Sequence, residues 1–314
     1  MYILIVNPEA GNGRSLKVLK KLQKDPLFKQ KDCRSFFTKY EGHAEELVKH
    51  VLEIYNEKVK CIIAVGGDGT MHEVVNGLKN IPTIPIAYIP AGSGNDFARG
   101  TNSKKKPVKL FQDIVQRSHA KPYWCGSYLT DKRKPSNRRV FASNIGFGFD
   151  AEIAQRANRS SYKKWLNKIG LGSLAYAIAL VQTIFQFEPK EIELTIDGEI
   201  RTLSNVWMIT TGVHGYYGGG MKVIPSAKMS KDTFHVLIIE NISKWKVLAV
   251  FLSVFWGGHV KYNEVTVLNA SSLSIHGNQS LSYHVDGQTG KCQKCVIEKE
   301  SFSRKIFQFS SKQK

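Results

Sequence analysis

The sequence predicts an α/β domain built on a parallel sheet, followed by an antiparallel β domain. Strand-like and helix-like segments alternate up to about residue 100, which is typical of a parallel sheet with helices on both faces. After about residue 122 the segments become rich in strands, and Asp197-Gly198 between two of them is a hairpin signal. At 314 residues, the chain is also too long for one ordinary core.

The first domain is expected over residues 1–122. β-branched and apolar runs predict its strands, and apolar residues at helical spacing predict the helices between them. The predicted strands are Tyr2–Asn7, Cys33–Thr38, Lys60–Val65 and Ile84–Ile89, and the predicted helices are Leu16–Leu22, His43–Tyr55 and Met71–Leu78. Ligands of such sheets bind where strands end and helices begin, so the loops after these strands are the expected site.

The second domain is expected over residues 123–296. Its predicted strands are Val140–Ile145, Glu191–Ile196, Ile200–Ile209, Phe234–Glu240, Val265–Ala270 and Ser280–Val285. Two apolar segments, Leu171–Phe187 and Val247–Trp256, are shorter or more interrupted than the roughly 18 apolar residues that span a bilayer. We therefore expect both to be packed helices. The basic segment Thr130–Arg139 is expected to be an exposed loop.

Composition indicates a cytoplasmic protein. The apolar run that begins at Tyr2 has no basic stretch before it, so we interpret it as a first strand and not as a signal peptide. The chain has 5 cysteines, and an odd count without a secretory signal favours reduced thiols.

The formal net charge of +19 bears on partners. Residues 99–168 hold 17 Lys and Arg against 4 Asp and Glu, with blocks at Lys104–Lys106, Lys132–Lys134, Arg138-Arg139 and Lys163-Lys164. The absence of helix-turn-helix, zinc-finger and RNP signatures argues against nucleic acid. Because each Lys or Arg near an anionic leaflet contributes about 1 kcal/mol, we expect peripheral binding to the inner face of a membrane. A merely soluble basic surface is the alternative, and a homodimer is left open.

Three glycine-rich loops follow three predicted strands. The first, Asn7-Pro8-Glu9-Ala10-Gly11, continues to Gly13 but lacks both the Gly-Lys-Ser/Thr of a P-loop and the third glycine of a dinucleotide fingerprint. The third loop, Gly92-Ser93-Gly94-Asn95-Asp96, follows the strand Ile84–Ile89. It offers glycines, a hydroxyl and either Asn95 or Asp96 as a helix cap.

The second loop, Gly66-Gly67-Asp68-Gly69-Thr70, is the most informative. Its glycines allow the backbone to approach a ligand, and amides at the start of the next helix favour an anion. An Asp within such a turn suits Mg²⁺ binding or proton acceptance from an attacking hydroxyl. A structural alternative is that Thr70 and Glu73 form a capping box. Three such loops at successive strand ends predict a nucleotide-phosphate site.

These motifs resemble the diacylglycerol kinase catalytic domain family, which includes bacterial soluble lipid kinases and sphingosine kinases. The resemblance extends to Gly146–Ala151, Gly218–Met221 and Gly257-x-His259, and so covers nearly the whole chain. It implies an NAD-kinase/phosphofructokinase-like nucleotide domain, then an antiparallel β-sandwich. It also implies that the C-terminal segment 297–314 returns to the first domain.

The resemblance further implies the site residues and the ligands. ATP would be held by Asn7, Pro8, Glu9, Ala10, Gly11, Thr38, Gly66, Gly67, Asp68, Gly69, Thr70, Glu73, Gly92, Ser93, Asn95 and Asp96. Asp286 would bind Mg²⁺, and Asp68 or Asp286 would act on the lipid hydroxyl. The expected activity is transfer of the ATP γ-phosphoryl group to a lipid such as diacylglycerol or a sphingosine-like lipid.

The chain departs from the family pattern at three places. Asp286-Gly287-Gln288 stands where the family has Asp-Gly-Glu, and Gln cannot act as a general base. Lys231 and Thr233 disturb a motif linked to a structural Mg²⁺, and Tyr123-Trp124-Cys125 replaces a common Asp. Two alternatives therefore stay open. One is an NAD-kinase-like enzyme with a soluble substrate, and the other is a non-catalytic lipid or nucleotide sensor.

Overall fold

A computed structural model describes residues 1–103, 105–116, 120–159 and 180–309. The chain forms two compact units. The first contains Met1–Cys125, Gly218–Gly220 and Glu300–Lys314, and the second contains Gly126–Tyr217 and Met221–Lys299. Lys104, Lys163-Lys164 and the first part of the predicted helix Leu171–Phe187 lie outside the described residues, whereas residues 180–186 are helical.

The first unit is built on a six-stranded sheet with the order β2-β1-β3-β4-β17-β5. Its first five strands in that order pair in parallel, and only β5 is antiparallel to its neighbour. The strands are β1 (Tyr2–Val6), β2 (Cys33–Phe37), β3 (Cys61–Gly66), β4 (Ile86–Pro90), β5 (Ala120–Tyr123) and β17 (Arg304–Phe307). The helices are α1 (Arg14–Gln23), α2 (Pro26–Gln30), α3 (His43–Tyr55), α4 (Asp68–Gly77), α5 (Asp96–Gly100) and α6 (Pro107–Gln116).

Burial explains this arrangement. Every residue of β1 and β3 is buried, as expected for central strands covered on both faces. Helix α1 buries Val18, Leu19 and Leu22, which lie at helical spacing on one stripe. This stripe joins β1, β3 and α6 in one hydrophobic cluster.

The C-terminal segment contributes strand β17 to this sheet, where a buried arginine holds it. Arg304 is 0% exposed and binds the Glu300 carboxylate through two nitrogens at 2.9 and 2.6 Å. The same guanidinium donates to the carbonyl of Leu78, at the end of α4, at 3.0 Å. Burial of this charge is therefore compensated by a bidentate ion pair and a carbonyl.

The second unit is an antiparallel β-sandwich domain, so the predicted fold class is confirmed. Its main sheet has the order β14-β13-β10-β8-β15-β16-β6-β7, with β9 paired to β10 and β15. The strands are β6 (Gly126–Thr130), β7 (Arg139–Phe141), β8 (Asn144–Gly148), β9 (Lys190–Ile196), β10 (Glu199–Gly212), β11 (Tyr216–Tyr217), β12 (Met221–Lys222), β13 (Phe234–Glu240), β14 (Val265–Ala270), β15 (Ser272–Val285) and β16 (Gln288–Lys299). Its helices include α7 (Phe149–Arg159) and α8 (Lys244–Ser253).

Two Asp-Gly pairs form tight turns in this sheet. Asp197-Gly198 joins β9 to β10 with φ angles of 48° and 93°, which confirms the predicted hairpin. Asp286-Gly287 joins β15 to β16 with φ angles of 46° and 91°. Both pairs therefore have left-handed backbone at both turn positions, as a type I′ turn requires.

Helix α8 covers most of the segment Val247–Trp256 that was expected to be a packed helix. One face fits that expectation, because Val247, Val250 and Val254 are buried in the hydrophobic core of the second unit. The opposite face does not, because Leu248 and Leu252 are exposed. The packed-helix prediction is thus wrong for one side of α8, since an apolar sequence pattern does not reveal which apolar side chains are covered. No helix in the described ranges is long and apolar enough to cross a bilayer.

Candidate active site

The predicted loops begin at the carboxyl ends of four parallel strands. Asn7 follows β1, Thr38 follows β2, Gly67 follows β3 and Ala91 follows β4. Parallel strands end at the same edge of a sheet, so these four positions share one edge. Backbone hydrogen bonds continue there, with the Asn7 amide donating to Val65 at 3.1 Å and the Thr38 amide donating to Val6 at 2.9 Å.

The second and third loops are in direct backbone contact. The amides of Ala91 and Gly92 both donate to the carbonyl of Gly66, at 2.8 and 3.0 Å. A Cβ atom on Gly92 would lie 2.5 Å from the Cα of Gly67, a separation that real side chains do not tolerate. Glycine at position 92 is therefore required by the approach of two backbones.

The first loop joins the same group. Gly11 has a φ of +59°, and a Cβ atom there would lie 2.1 Å from the carbonyl oxygen of Ala91. The Asn7 side-chain amide donates to the Thr70 hydroxyl at 3.3 Å, which links the first loop to the second. Arg14, which the sequence did not single out, donates to the Gly92 carbonyl at 3.4 Å. The structure thus brings all three glycine-rich loops together.

Asn95 shapes the third loop from within. Its side chain accepts hydrogen bonds from the Gly92 amide and the Tyr88 hydroxyl, both at 3.0 Å, and donates to the Gly92 carbonyl at 2.8 Å. It occupies the cap position of α5 with a left-handed φ of 57° but makes no side-chain capping bond. Tyr88 was missed because a tyrosine inside an apolar strand gives no sequence signal that its hydroxyl reaches a loop.

Two carboxylates flank Gly94. A Cβ atom on Gly94 would lie 2.9 Å from Oδ2 of Asp68 and 3.6 Å from Oδ2 of Asp96. Asp68 accepts the Phe97 amide at 3.0 Å, and Asp96 accepts the Gly219 amide at 2.8 Å and pairs with Arg99 at 3.1 Å. Burial raises the pKa of Asp96, while the Gly219 amide and the Arg99 guanidinium act in the opposite direction.

This pair of carboxylates fits a metal that arrives with a nucleotide. Within the described ranges, no group of three or more His, Cys, Asp or Glu side chains is placed to hold an ion unaided. Mg²⁺ at nucleotide sites commonly uses one or two carboxylates together with substrate phosphates and waters. Asp68 and Asp96, which converge on Gly94, meet that requirement.

Glu73 has a different structural role from the capping box that its spacing suggests. Helix α4 begins at Asp68 with Gly67 as its cap, so Thr70 and Glu73 both lie inside it. The Glu73 carboxylate accepts the amides of Gly42 and Ala44 at 2.9 and 3.0 Å, at the start of α3. The capping-box alternative is therefore wrong for α4, because Glu73 caps the neighbouring helix.

The remaining predicted residues of the first unit occupy the same loops. Gly69 lies in the first turn of α4, where a Cβ atom would meet no other atom within 4 Å. Glu9 and Ser93 are exposed, whereas Pro8 and Ala10 are half-buried. Exposed loop groups of this kind are available to a ligand.

Asp286 lies in the second unit and is fixed by backbone amides. Its carboxylate, only 4% exposed, accepts the amides of Ala142, Ser143 and Asn144 at 2.8, 2.9 and 3.1 Å. The residue thus anchors the connection between β7 and β8 as well as forming its own turn. Gln288 is the first residue of β16.

A buried histidine–aspartate pair near this turn was not identified as a site from the sequence. His284 Nε2 lies 2.9 Å from Oδ2 of Asp150, which also accepts the Thr210 hydroxyl at 3.0 Å. The Tyr217 ring stacks on His284 at 4.5 Å. The only sequence signal was the glycine motif around Asp150, because β15 pairing brings His284 to it from far along the chain.

A second buried histidine, His214, follows β10. Burial lowers the pKa of its imidazole to about 4, and the charge of Asp286 only partly opposes this shift. His214 is therefore neutral near pH 7, and its protonation is linked to unfolding.

Comparisons with known proteins place the chain among kinases. The diacylglycerol kinase catalytic domain model matches residues 1–126, and the YegS C-terminal NAD kinase beta sandwich-like domain model matches residues 143–295. A candidate lipid kinase of Bacillus subtilis (strain 168), YtlR, is 35% identical over 291 residues, which cover 91% of this chain and 93% of YtlR. The chain belongs to the diacylglycerol kinase catalytic domain family, as the sequence motifs predicted.

More distant relatives agree with this assignment. A Mycobacterium tuberculosis (strain H37Rv) protein named diacylglycerol kinase is 28% identical over 215 residues, which cover 68% of this chain and 66% of that protein. A crystal structure of a diacylglycerol kinase from Bacillus anthracis str. Sterne superposes with a TM-score of 0.69 at 21% identity. That likeness covers 98% of this chain and 96% of the other, and it shows the shared fold.

Substitution of Gly92 tests the contact between the loops. We expect Gly92→Ala to lower the free energy of unfolding by about 1–3 kcal/mol, because the new methyl group overlaps the Gly67 backbone. The matched control Gly69→Ala, in the first turn of α4, should leave stability unchanged or raise it. Thermal and urea unfolding measure both, and equal stabilities for the two variants would contradict the close approach.

His214 should make stability depend on pH. Its pKa is about 4 in the folded chain and 6.5 in the reference state, so the unfolded chain binds more protons between these values. The free energy of unfolding should therefore decrease as pH falls from 6.5 to 4, by about 3 kcal/mol from this group. His214→Asn should flatten this slope in urea titrations. Identical slopes for wild type and His214→Asn would refute this assignment.

Proposed function

We propose that this chain is an ATP-dependent lipid kinase, which transfers the γ-phosphoryl group to a hydroxyl of a lipid such as diacylglycerol or a sphingosine-like lipid. The observation that carries the proposal is the convergence of three glycine-rich loops and the carboxylates of Asp68 and Asp96 at one sheet edge. Membership of the diacylglycerol kinase catalytic domain family supports a lipid as the acceptor.

The loops would position the nucleotide. Backbone amides of the glycine-rich loops and the amino-terminal end of α4 favour the negative charge of phosphates. Catalysis of phosphoryl transfer depends mainly on such positioning and on charge stabilisation. Asp96, beside Asp68, would hold Mg²⁺ at the phosphates, and the bound ion would supply neutralisation of the charge that develops there.

A carboxylate would orient the lipid hydroxyl and accept its proton. Asp68 suits this role because one carboxylate oxygen accepts a hydrogen bond from the Phe97 amide at 3.0 Å, while its other oxygen faces Gly94. Asp286 already accepts three amides, and an ionised carboxylate has about four acceptor positions. Asp286 is therefore less suited to accept a proton, and Gln288 adds no base beside it.

The protein would encounter its lipid substrate at a membrane. A lipid acceptor resides in a bilayer, and the charge of +19 favours an anionic leaflet. We accordingly propose a cytoplasmic protein that binds peripherally to the inner face of the membrane.

Two alternative functions are each favoured by one feature of the sequence. An NAD-kinase-like activity on a soluble nucleotide is favoured by the Gly-Gly-Asp-Gly turn at positions 66–69, which that class shares. A lipid or nucleotide sensor without turnover is favoured by Gln288, because the glutamate role is absent.

Phosphate transfer from labelled ATP distinguishes these functions. With Mg²⁺ and a panel of diacylglycerol, sphingoid base, polyprenol and glycolipid in mixed micelles, we expect label in one lipid. Asp68→Asn should lower kcat/KM for that lipid on the order of 10²–10⁴-fold, because the proton acceptor is lost.

Asp25→Asn is the matched control. Asp25 caps α2 by accepting the Leu27 amide at 3.0 Å, a role that Asn fulfils equally well, so activity should be retained. Label in NAD and in no lipid would favour the NAD-kinase-like alternative. Nucleotide binding without transfer to any acceptor would favour the sensor.

A further inference from the structure

Helix α8 and the turn after it present a continuous exposed apolar face in the second unit. Trp245 is 75% exposed, Trp256 68%, Phe255 57%, Leu252 52% and Leu248 37%. We call these five residues the α8 apolar face. Large apolar groups are scattered singly on most surfaces, but a contiguous group of this kind indicates an interaction site.

Helical spacing places these side chains on one side of α8. Trp245, Leu248 and Leu252 are separated by three and four residues, which aligns them along one stripe. Val247 and Val250 lie on the other side and are buried in the core. One side of α8 therefore packs in the core and stabilises the second unit. The other side remains exposed after folding.

The apolar surface continues beyond α8. The Phe185 ring, itself 55% exposed, meets the Trp245 ring edge-on with centroids 5.8 Å apart. The Lys244 ammonium donates to the carbonyl of Phe185 at 3.0 Å, which fixes the two segments side by side. The surface is therefore held in place by defined contacts.

Charge and residue type identify the partner. Lys244 and Lys261 border this face, whereas Lys246 forms an ion pair with Glu264 at 2.6 Å. Tryptophan is enriched where bilayers meet water, and lysines bordering an apolar helix face favour anionic headgroups. A second copy of this chain would instead bring together two molecules that each carry a net charge of +19.

We propose that the α8 apolar face inserts into the interfacial region of an anionic bilayer. Trp245, Trp256 and Phe255 lie at the boundary between the headgroups and the acyl chains, and Lys244 and Lys261 contact the headgroups. This inference rests on the proposed function for its biological purpose, because a lipid kinase must meet its acceptor at a membrane. The binding itself requires neither ATP nor catalysis.

Vesicle flotation of the full chain tests the insertion. The vesicles contain equal parts of phosphatidylcholine and phosphatidylglycerol, and no nucleotide is present. We expect the triple variant Trp245→Gln, Leu252→Gln, Phe255→Gln to bind at least about tenfold more weakly than wild type. Wild-type tryptophan fluorescence should also be quenched by lipids brominated on their acyl chains, which purely electrostatic adhesion would not produce.

The matched control is Ile200→Gln, which removes an apolar side chain of β10 that is 70% exposed in the same unit. It should bind like wild type, and all variants should melt at similar temperatures because the changed groups lie outside the core. Equal vesicle binding by wild type and the triple variant would overturn the proposal. A wild-type dimer that the triple variant converts to a monomer, with vesicle binding unchanged, would overturn it in favour of a second copy.

A comparison of two substrates separates this inference from the proposed function. The triple variant should phosphorylate a dispersed short-chain diacylglycerol like wild type, yet lose activity on long-chain diacylglycerol in vesicles. Vesicle binding that depends on α8, without phosphoryl transfer to any lipid, would support the α8 apolar face as the membrane-binding surface. It would contradict the proposal that the chain is a lipid kinase. Equal activity of both proteins on vesicles would contradict the membrane surface alone.

Discussion

The candidate site depends on the close approach of two backbones at the carboxyl edge of the parallel sheet. Gly66 accepts the amides of Ala91 and Gly92, and Gly92 lies against Gly67 with no room for a side chain. This contact sets the start of α4 beside the third loop and brings the Asp68 and Asp96 carboxylates to Gly94. The proposed site for phosphates and Mg²⁺ thus depends on glycines that allow two loops to meet.

Much of this arrangement could be predicted from the sequence because it depends on local patterns. Buried β-branched runs define the parallel strands, and strand direction places the loops after β1, β3 and β4 at one edge. Hydrogen bonds between side chains and loops of different elements could not be predicted. Glu73 has the spacing of a capping box for its own helix, yet it caps α3, and the Tyr88 hydroxyl reaches Asn95 from a strand interior.

In the second unit, too, local sequence patterns predict turns and helices but not the contacts between residues that are far apart in the chain. The Asp-Gly signal predicts the turn at Asp197, and the turn at Asp286 shares its geometry. The two turns differ in their surroundings, because three amides surround a buried Asp286 while Asp197 accepts from exposed serines. Likewise, apolar periodicity predicts α8 as a helix but gives no sign that one of its faces stays uncovered.

Amide hydrogen exchange with and without Mg²⁺ and a non-hydrolysable ATP analogue tests the central claim most directly. If the loops form one nucleotide-phosphate site, peptides covering residues 7–11, 66–70 and 91–96 should all gain protection on binding, with the turn at residues 197–198 unchanged. Protection confined to one loop, or located only in the second unit, would contradict a phosphate site built from three loops at one sheet edge.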